Sequence, residues 1–148
     1  MDNVNYENLK AEYADAQLRA YNWHLNRLKY WQDKIYDLDA WASQGFTHGK
    51  DYGEEHVPQK HYRGDFTEQK ILDYSEQLEE YEQKVNEEQK IIDTIDQWLA
   101  TLDQDKRWII KDYYFNRKPY ETIAQLYGVS RNTIRTYINL ALLTFPEN

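Results

Sequence analysis

The sequence predicts an all-α chain: a long antiparallel helical hairpin, coiled-coil-like, followed by a C-terminal three-helix module built around a helix-turn-helix. Three observations predict it. Glycine and proline are scarce, 5 and 3 in 148 residues, and four of the glycines fall with one proline between residues 45 and 64, leaving long unbroken flanks. Apolar residues recur along both flanks in steps of three and four, the signature of a helical seam. Near the end, IAQLYGVSRNTIR (Ile123 to Arg135) spaces an alanine, a glycine and an isoleucine as a helix-turn-helix does.

The first helix is expected over about residues 4–42. Its seam reads Tyr6, Leu9, Tyr13, Ala16, Ala20, Trp23 and Tyr30, with Arg27 interrupting. Past Arg27 the stripe moves to Leu28, Trp31, Ile35, Leu38 and Ala42, which reads as a stutter. Residues 43–66 break every period and are expected to form a loop. The second helix is expected over about 67–102, with Thr67 as N-cap. Its seam runs Ile71, Tyr74, Leu78, Tyr81, Val85, Glu88, Ile92, Ile95, Leu99, Leu102, with Glu88 as its one charged position. Arg27 and Glu88 either set the register of the seam or snorkel from its edge.

Two helices of nearly equal length, roughly 50–55 Å each at 1.5 Å per residue, favour an antiparallel hairpin. Two helices alone bury little, and both carry surplus aromatics. A second copy of the chain is therefore expected to complete a bundle, with a dimer favoured; the alternative is a lone hairpin that packs back on the C-terminal module. Residues 1–102 form this oligomerisation region and residues 103–148 the helix-turn-helix domain.

In that second part, Asp103 and Asp105 suit a helix N-terminus, where a carboxylate meets the positive end of the dipole. The third helix should run to about Phe115, with Trp108, Ile109, Asp112 and Tyr113 at helical spacing. Asn116, Arg117 and Lys118 make the turn, and Pro119 is tolerated at a helix start. The fourth helix is Tyr120 to Tyr127; Gly128 can take the positive φ that ends it sharply, and Ser130 caps the fifth. Ala124 must be small for the two helices to cross closely, and Ile134 apolar to pin one onto the other.

The fifth helix has two faces. Ile134, Ile138, Ala141 and Phe145 recur as a buried stripe, while Arg131, Asn132, Arg135, Thr136 and Asn139 lie opposite. Arginine can grip guanine in bidentate fashion, asparagine adenine, and threonine offers a hydroxyl and a methyl, so this face suits the reading of base edges in a major groove. Arg107, Lys111, Arg117 and Lys118, with Ser130, are the candidate phosphate contacts.

The stretch RWIIKDYYFNRKPYETIAQLYGVSRNTIRTYINLAL resembles region 4 of bacterial sigma-70-type factors, the part that reads the -35 element. A long coiled-coil-like part ahead of such a module resembles phage late-gene transcriptional regulators of the ArpU/RinA type. By position, the resemblance makes Arg131, Asn132, Arg135 and Thr136 base-facing, and it implies contact with promoter DNA and with RNA polymerase. The chain departs from the pattern at Thr122, where glutamate is frequent, at Pro119, where a Ser or Thr cap is common, and in LALLTF, where many relatives place lysines and arginines.

Composition bounds the rest. Cysteine is absent, which removes disulfides, thiolate metal sites and a cysteine nucleophile. No segment has the length of a membrane span and MDNVNYENLK is no signal peptide, so a cytoplasmic location is expected, and the resemblance implies that the cell is a bacterial host. Residues 1–102 carry net charge -10 and residues 103–148 carry +2: a modestly basic module on an acidic body. His48, His56 and His61 match no compact ligand spacing, and neither metal nor cofactor is expected. Without a catalytic constellation or a glycine-rich phosphate cradle, an enzyme is not expected. The reading is a sequence-specific DNA-binding transcriptional regulator, an activator of phage late genes. The alternatives are a DNA-packaging protein like a terminase small subunit, and a coiled-coil adaptor that does not bind DNA.

Overall fold

The computed structural model describes residues 2–52 and 66–147, with side chains for residues 5–44 and 68–147. Among the described residues every regular element is helical, so the all-α expectation holds. Helix α1 is Asp2–Arg19 and α2 is Tyr21–Tyr52. A wide turn, Phe66–Lys70, leads into α3, Ile71–Thr101. Helix α4 is Gln104–Ile110 and continues as a π-helical turn, Lys111–Phe115; α5 is Tyr120–Tyr127 and α6 is Arg131–Leu142.

Several boundaries differ from expectation. The first helix is marked at Ala20 by an irregular residue, yet the ladder carries through it, with Ala20 N–H donating to Ala16 and His24 N–H to Ala20. It also runs on to Tyr52, so residues 43–52 are helix and not loop. The rest of the expected loop, residues 53–65, lies outside the described residues, as do the side chains of His48, His56 and His61. Thr67 sits inside the opening turn of the second arm and not ahead of it as a cap.

The seam of the first arm holds past Arg27, where Leu28, Trp31, Ile35, Leu38 and Ala42 are buried or half-buried, and is corrected ahead of it. Tyr6, Leu9 and Trp23 keep 55, 59 and 55 % of their surface exposed, whereas Ala14 and Leu18 are fully buried. The covered stripe is Ala14, Tyr21, Leu28, Ile35 and Ala42, seven residues apart, with Ala11 ahead of it and Leu18 between its first two members. No stutter is needed. Small alanines let α1 approach its neighbours closely, and Tyr6, Leu9 and Trp23 stay outside. On α3 the expected seam holds except at Ile71, which is exposed: its members from Tyr74 to Leu102 are all buried or half-buried, and burial deepens from Ile92 onward.

The chain packs as two compact units, Met1–Leu25 with Lys90–Asn148, and Asn26–Gln89. In the second, α2 and α3 pair antiparallel. Arg27 meets Glu88 at 3.2 Å, Trp31 faces Tyr81 with ring centroids 5.6 Å apart, and the Tyr74 hydroxyl donates to Asp39 at 2.6 Å. Numbers that rise on one helix fall on the other.

The first unit holds the larger core. Ala14 and Leu18 of α1 and Ile95, Trp98 and Leu99 of α3 join Ile109, Ile110 and Tyr114, Ile123 and Ala124, and Ile134, Ile138, Ala141, Leu142 and Phe145. The C-terminal helices thus do not close a core by themselves; both arms of the hairpin contribute. Phe145 shows how. It packs edge-on against Trp98 at 5.1 Å and Tyr13 at 6.1 Å, and the Trp98 indole N–H donates to Thr144 at 2.9 Å. Burying an aromatic with its polar tip satisfied avoids the cost of an orphaned donor.

Candidate nucleic-acid interface

Helices α5 and α6 are joined by Gly128-Val129-Ser130, and each residue of the turn does what its chemistry allows. Gly128 has φ 65 and ψ 35, the left-handed conformation, and its N–H and that of Val129 both return to the Ala124 carbonyl. A β-carbon at Gly128 would meet nothing within 4 Å, so the need for glycine is conformational and not steric. The Ser130 side chain accepts from the Thr133 N–H at 3.1 Å and lies 2.8 Å from the Thr133 hydroxyl. That is an N-cap, stabilising α6 by about 1 kcal/mol. Ala124 and Ile134 are both buried, as the close crossing of the two helices requires.

The burial of Ile134, Ile138, Ala141 and Leu142 fixes the rotation of α6. Arg131, Asn132, Arg135, Thr136 and Asn139 are consequently all exposed on one face. Ser130 is exposed at its start. Tyr137 and Leu140 are exposed as well. Arg131 lies 3.4 Å from Glu121 of α5, both well exposed, a contact worth about 0–1 kcal/mol that leaves the guanidinium free to exchange partners.

The basic residues ahead of the motif divide by role. Arg107 donates to the carbonyls of Leu99 and Leu102, each at 3.0 Å, and of Ala100 at 3.4 Å. Its guanidinium closes the C-terminal end of α3, where the last carbonyls lack helical partners and the dipole favours a cation. Arg107 thus caps that end of α3. Lys118 is also engaged, 3.3 Å from the buried carboxylate of Asp112, which further accepts from Asn116 at 3.1 Å. Asp112 therefore organises the turn that follows it. Lys111 is half-buried at the head of the π-helical turn. That turn carries an extra residue, with the Asn116 N–H reaching back to Lys111. The buried face of α4 and this turn is Ile109, Ile110, Asp112 and Tyr114, and Trp108 is half exposed.

Arg117 is exposed and has φ 55, alone among the described non-glycine residues in that region. Next to it the Tyr113 and Tyr120 rings stack at 4.7 Å, nearly parallel. Burial, then the Tyr113 hydroxyl, push the Tyr120 phenol up to about 12, while the positive charges of Arg135 and Arg19 pull the other way. Tyr120 thus senses a guanidinium from α6 and one from α1. Sequence reasoning missed Arg19. It lies on a helix assigned to oligomerisation and meets Tyr113 across 94 residues, a separation no local pattern reveals.

With this geometry in hand, residues 98–144 match the family described as Sigma-70, region 4, a helix-turn-helix DNA-binding fold. No curated protein and no solved structure matches the chain. The matched segment opens at Trp98, inside α3, and includes all ten candidate contact residues. No helix among the described residues is long and apolar enough to cross a membrane.

Proposed function

We propose that this protein is a sequence-specific DNA-binding transcriptional regulator, and an activator of phage late genes by its resemblance to the ArpU/RinA type. The observation that carries the reading is the exposed face of α6. Five residues able to hydrogen-bond base edges stand opposite four buried ones, in a helix capped by Ser130 and set by Gly128. Arg131, Asn132, Arg135, Thr136 and Asn139 read bases in this proposal, while Lys111, Arg117 and Ser130 contact phosphates. The protein acts in the cytoplasm of a bacterial host cell, on double-stranded promoter DNA, and RNA polymerase is its protein partner.

It acts as a dimer. Tyr6, Leu9, Trp23 and Tyr30, a stripe at heptad spacing, remain at least half exposed in a single chain. A second copy pairing along this stripe would cover it and place two recognition helices over paired half-sites. The helical arms serve this assembly, and the segment from residue 103 onward serves DNA.

Footprinting on DNA surrounding its own coding region tests the function. One protected promoter-proximal site, with two related half-sites and bound by a dimer, supports the reading. High-order rings that protect no discrete site would replace it with a DNA-packaging role.

A further inference from the structure

We propose that a cleft of about 460 Å3 lined by Arg19, Tyr113, Tyr114, Arg117, Lys118 and Pro119 receives a phosphate of the DNA backbone, so that helix α1 takes part in DNA binding. The inference rests on the reading of α6 as a recognition helix. Arg19 lies well outside residues 98–144, so nothing in the matched segment supplies it.

Three cations line one cleft, and the carboxylates that hold two of them, Asp15 for Arg19 and Asp112 for Lys118, are not among its lining residues. Arg19 is held by its Nε, which donates to Asp15 one turn back at 2.9 Å, and by a bond from its Nη2 to the Tyr113 hydroxyl at 3.3 Å. Its guanidinium also lies over the Tyr113 and Tyr114 rings, 5.7 and 5.5 Å from their centroids. Asp15 is itself held by the Tyr114 hydroxyl at 2.7 Å. Arg19 is thereby fixed in direction, yet its side chain stays 58 % exposed, and its remaining N–H groups have no partner among the described residues. Lys118 is steered by Asp112, and its side chain is 40 % exposed.

Arg117 adds the second line of argument. A β-carbon in the left-handed region is unfavourable, and a non-glycine residue held there is a reason to look for a function. Asparagine or glycine would fit the turn with less strain. The arginine sits there with an exposed side chain at the cleft and no ion-pair partner among the described residues. Tyr120, whose ring stacks on that of the cleft-lining Tyr113 at 4.7 Å, also feels the positive charge of Arg135 on the base-reading face. A phosphate diester in the cleft would accept from Arg19 and Arg117 while Arg135 enters the groove beside it. A planar guanidinium suits a phosphate because it can present two parallel N–H groups.

The test uses the full chain with Arg19→Gln, Arg19→Lys and Arg117→Gly, on a footprinted site and on scrambled DNA across a range of salt. Loss of one phosphate contact reduces the salt slope by about 0.9, so a fourfold rise in salt costs a variant about 3.5-fold less affinity than it costs the wild type. Arg19→Gln and Arg117→Gly should each show this on both DNAs, and Arg19→Lys should restore most of the slope. Arg117→Gly should also melt at or above the wild-type temperature, because it relieves the left-handed strain. Gain in stability with loss of binding is not what a structural residue gives. Inorganic phosphate, compared with chloride at equal ionic strength, should not compete selectively. Selective competition would make the occupant a free anion and overturn the proposal, as would unchanged slopes in both Arg19→Gln and Arg117→Gly. Wild-type protein that binds no DNA would instead remove the recognition-helix reading on which the inference stands.

Discussion

Arg27 on α2 and Glu88 on α3 are each other's partner, Nε to Oε1 at 3.2 Å, with the glutamate buried and the arginine half-buried. The two charges that interrupt apolar seams some sixty positions apart in sequence therefore meet across the hairpin. The guanidinium also lies over the Trp31 ring at 5.6 Å. A pair placed this way resists sliding, since a shift along either helix would break this contact to a buried carboxylate.

Removing one partner should cost more than removing both. Glu88→Leu or Arg27→Leu alone is expected to destabilise by about 1–3 kcal/mol, and the double Leu variant by less than either. Urea midpoints of the four proteins measure this as a double-mutant cycle. An additive double variant would mean that the two charges do not interact.

The turn between α5 and α6 gives a second prediction. Gly128→Ala should cost about 1–2 kcal/mol from backbone strain alone, since open space surrounds the site. Gly128→Asn should cost less, because asparagine tolerates the left-handed region. Equal losses for both, read from denaturant midpoints, would point to steric conflict and not to φ.

The helix-turn-helix was legible in the sequence because its signals are local. Gly128, Ser130, Ala124 and Ile134 act on neighbours within a few residues, and the Tyr120–Tyr127 helix has the limits its punctuation implies. The seam of α3 was legible because one stripe dominates. On the first arm two stripes with steps of three and four interleave, and the aromatic one looked stronger than the alanine-rich one that is covered. The width of the π-helical turn and the capping by Arg107 depend on tertiary packing, as does the meeting of Arg19 with Tyr113. No periodicity encodes them.

Stability should also depend on alkaline pH. Burial, then a hydrogen bond to Asp96, push the Tyr21 phenol from 10.0 up to about 12, and burial with a bond to Asp15 raises Tyr114 further. A raised phenol contributes fully below the unfolded value and loses its contribution as pH climbs through the folded one. The melting temperature should therefore hold up to pH 10 and fall towards pH 12. Tyr21→Phe should fall less steeply over that window; an unchanged profile would mean that Tyr21 does not contribute to the decline.

Glu121 restrains Arg131 only weakly. Glu121→Gln should leave stability within about 0.5 kcal/mol of the wild type. It should strengthen DNA binding, by freeing Arg131 and by removing a negative charge from the contact face. Weaker binding by this variant in gel shifts would mean that the Glu121 contact positions Arg131 for its target.

The central claim is that the exposed face of α6 reads bases, and Arg135 is the residue on which to measure it. Affinities of wild type and Arg135→Ala, on the footprinted site and on scrambled DNA at one salt concentration, give the answer in four numbers. The expected result is a loss of about 1–3 kcal/mol on the specific site and little change on scrambled DNA. An equal loss on both would make Arg135 a phosphate contact, and wild-type protein that binds neither DNA at low salt would leave the helix-turn-helix as a surface for protein partners.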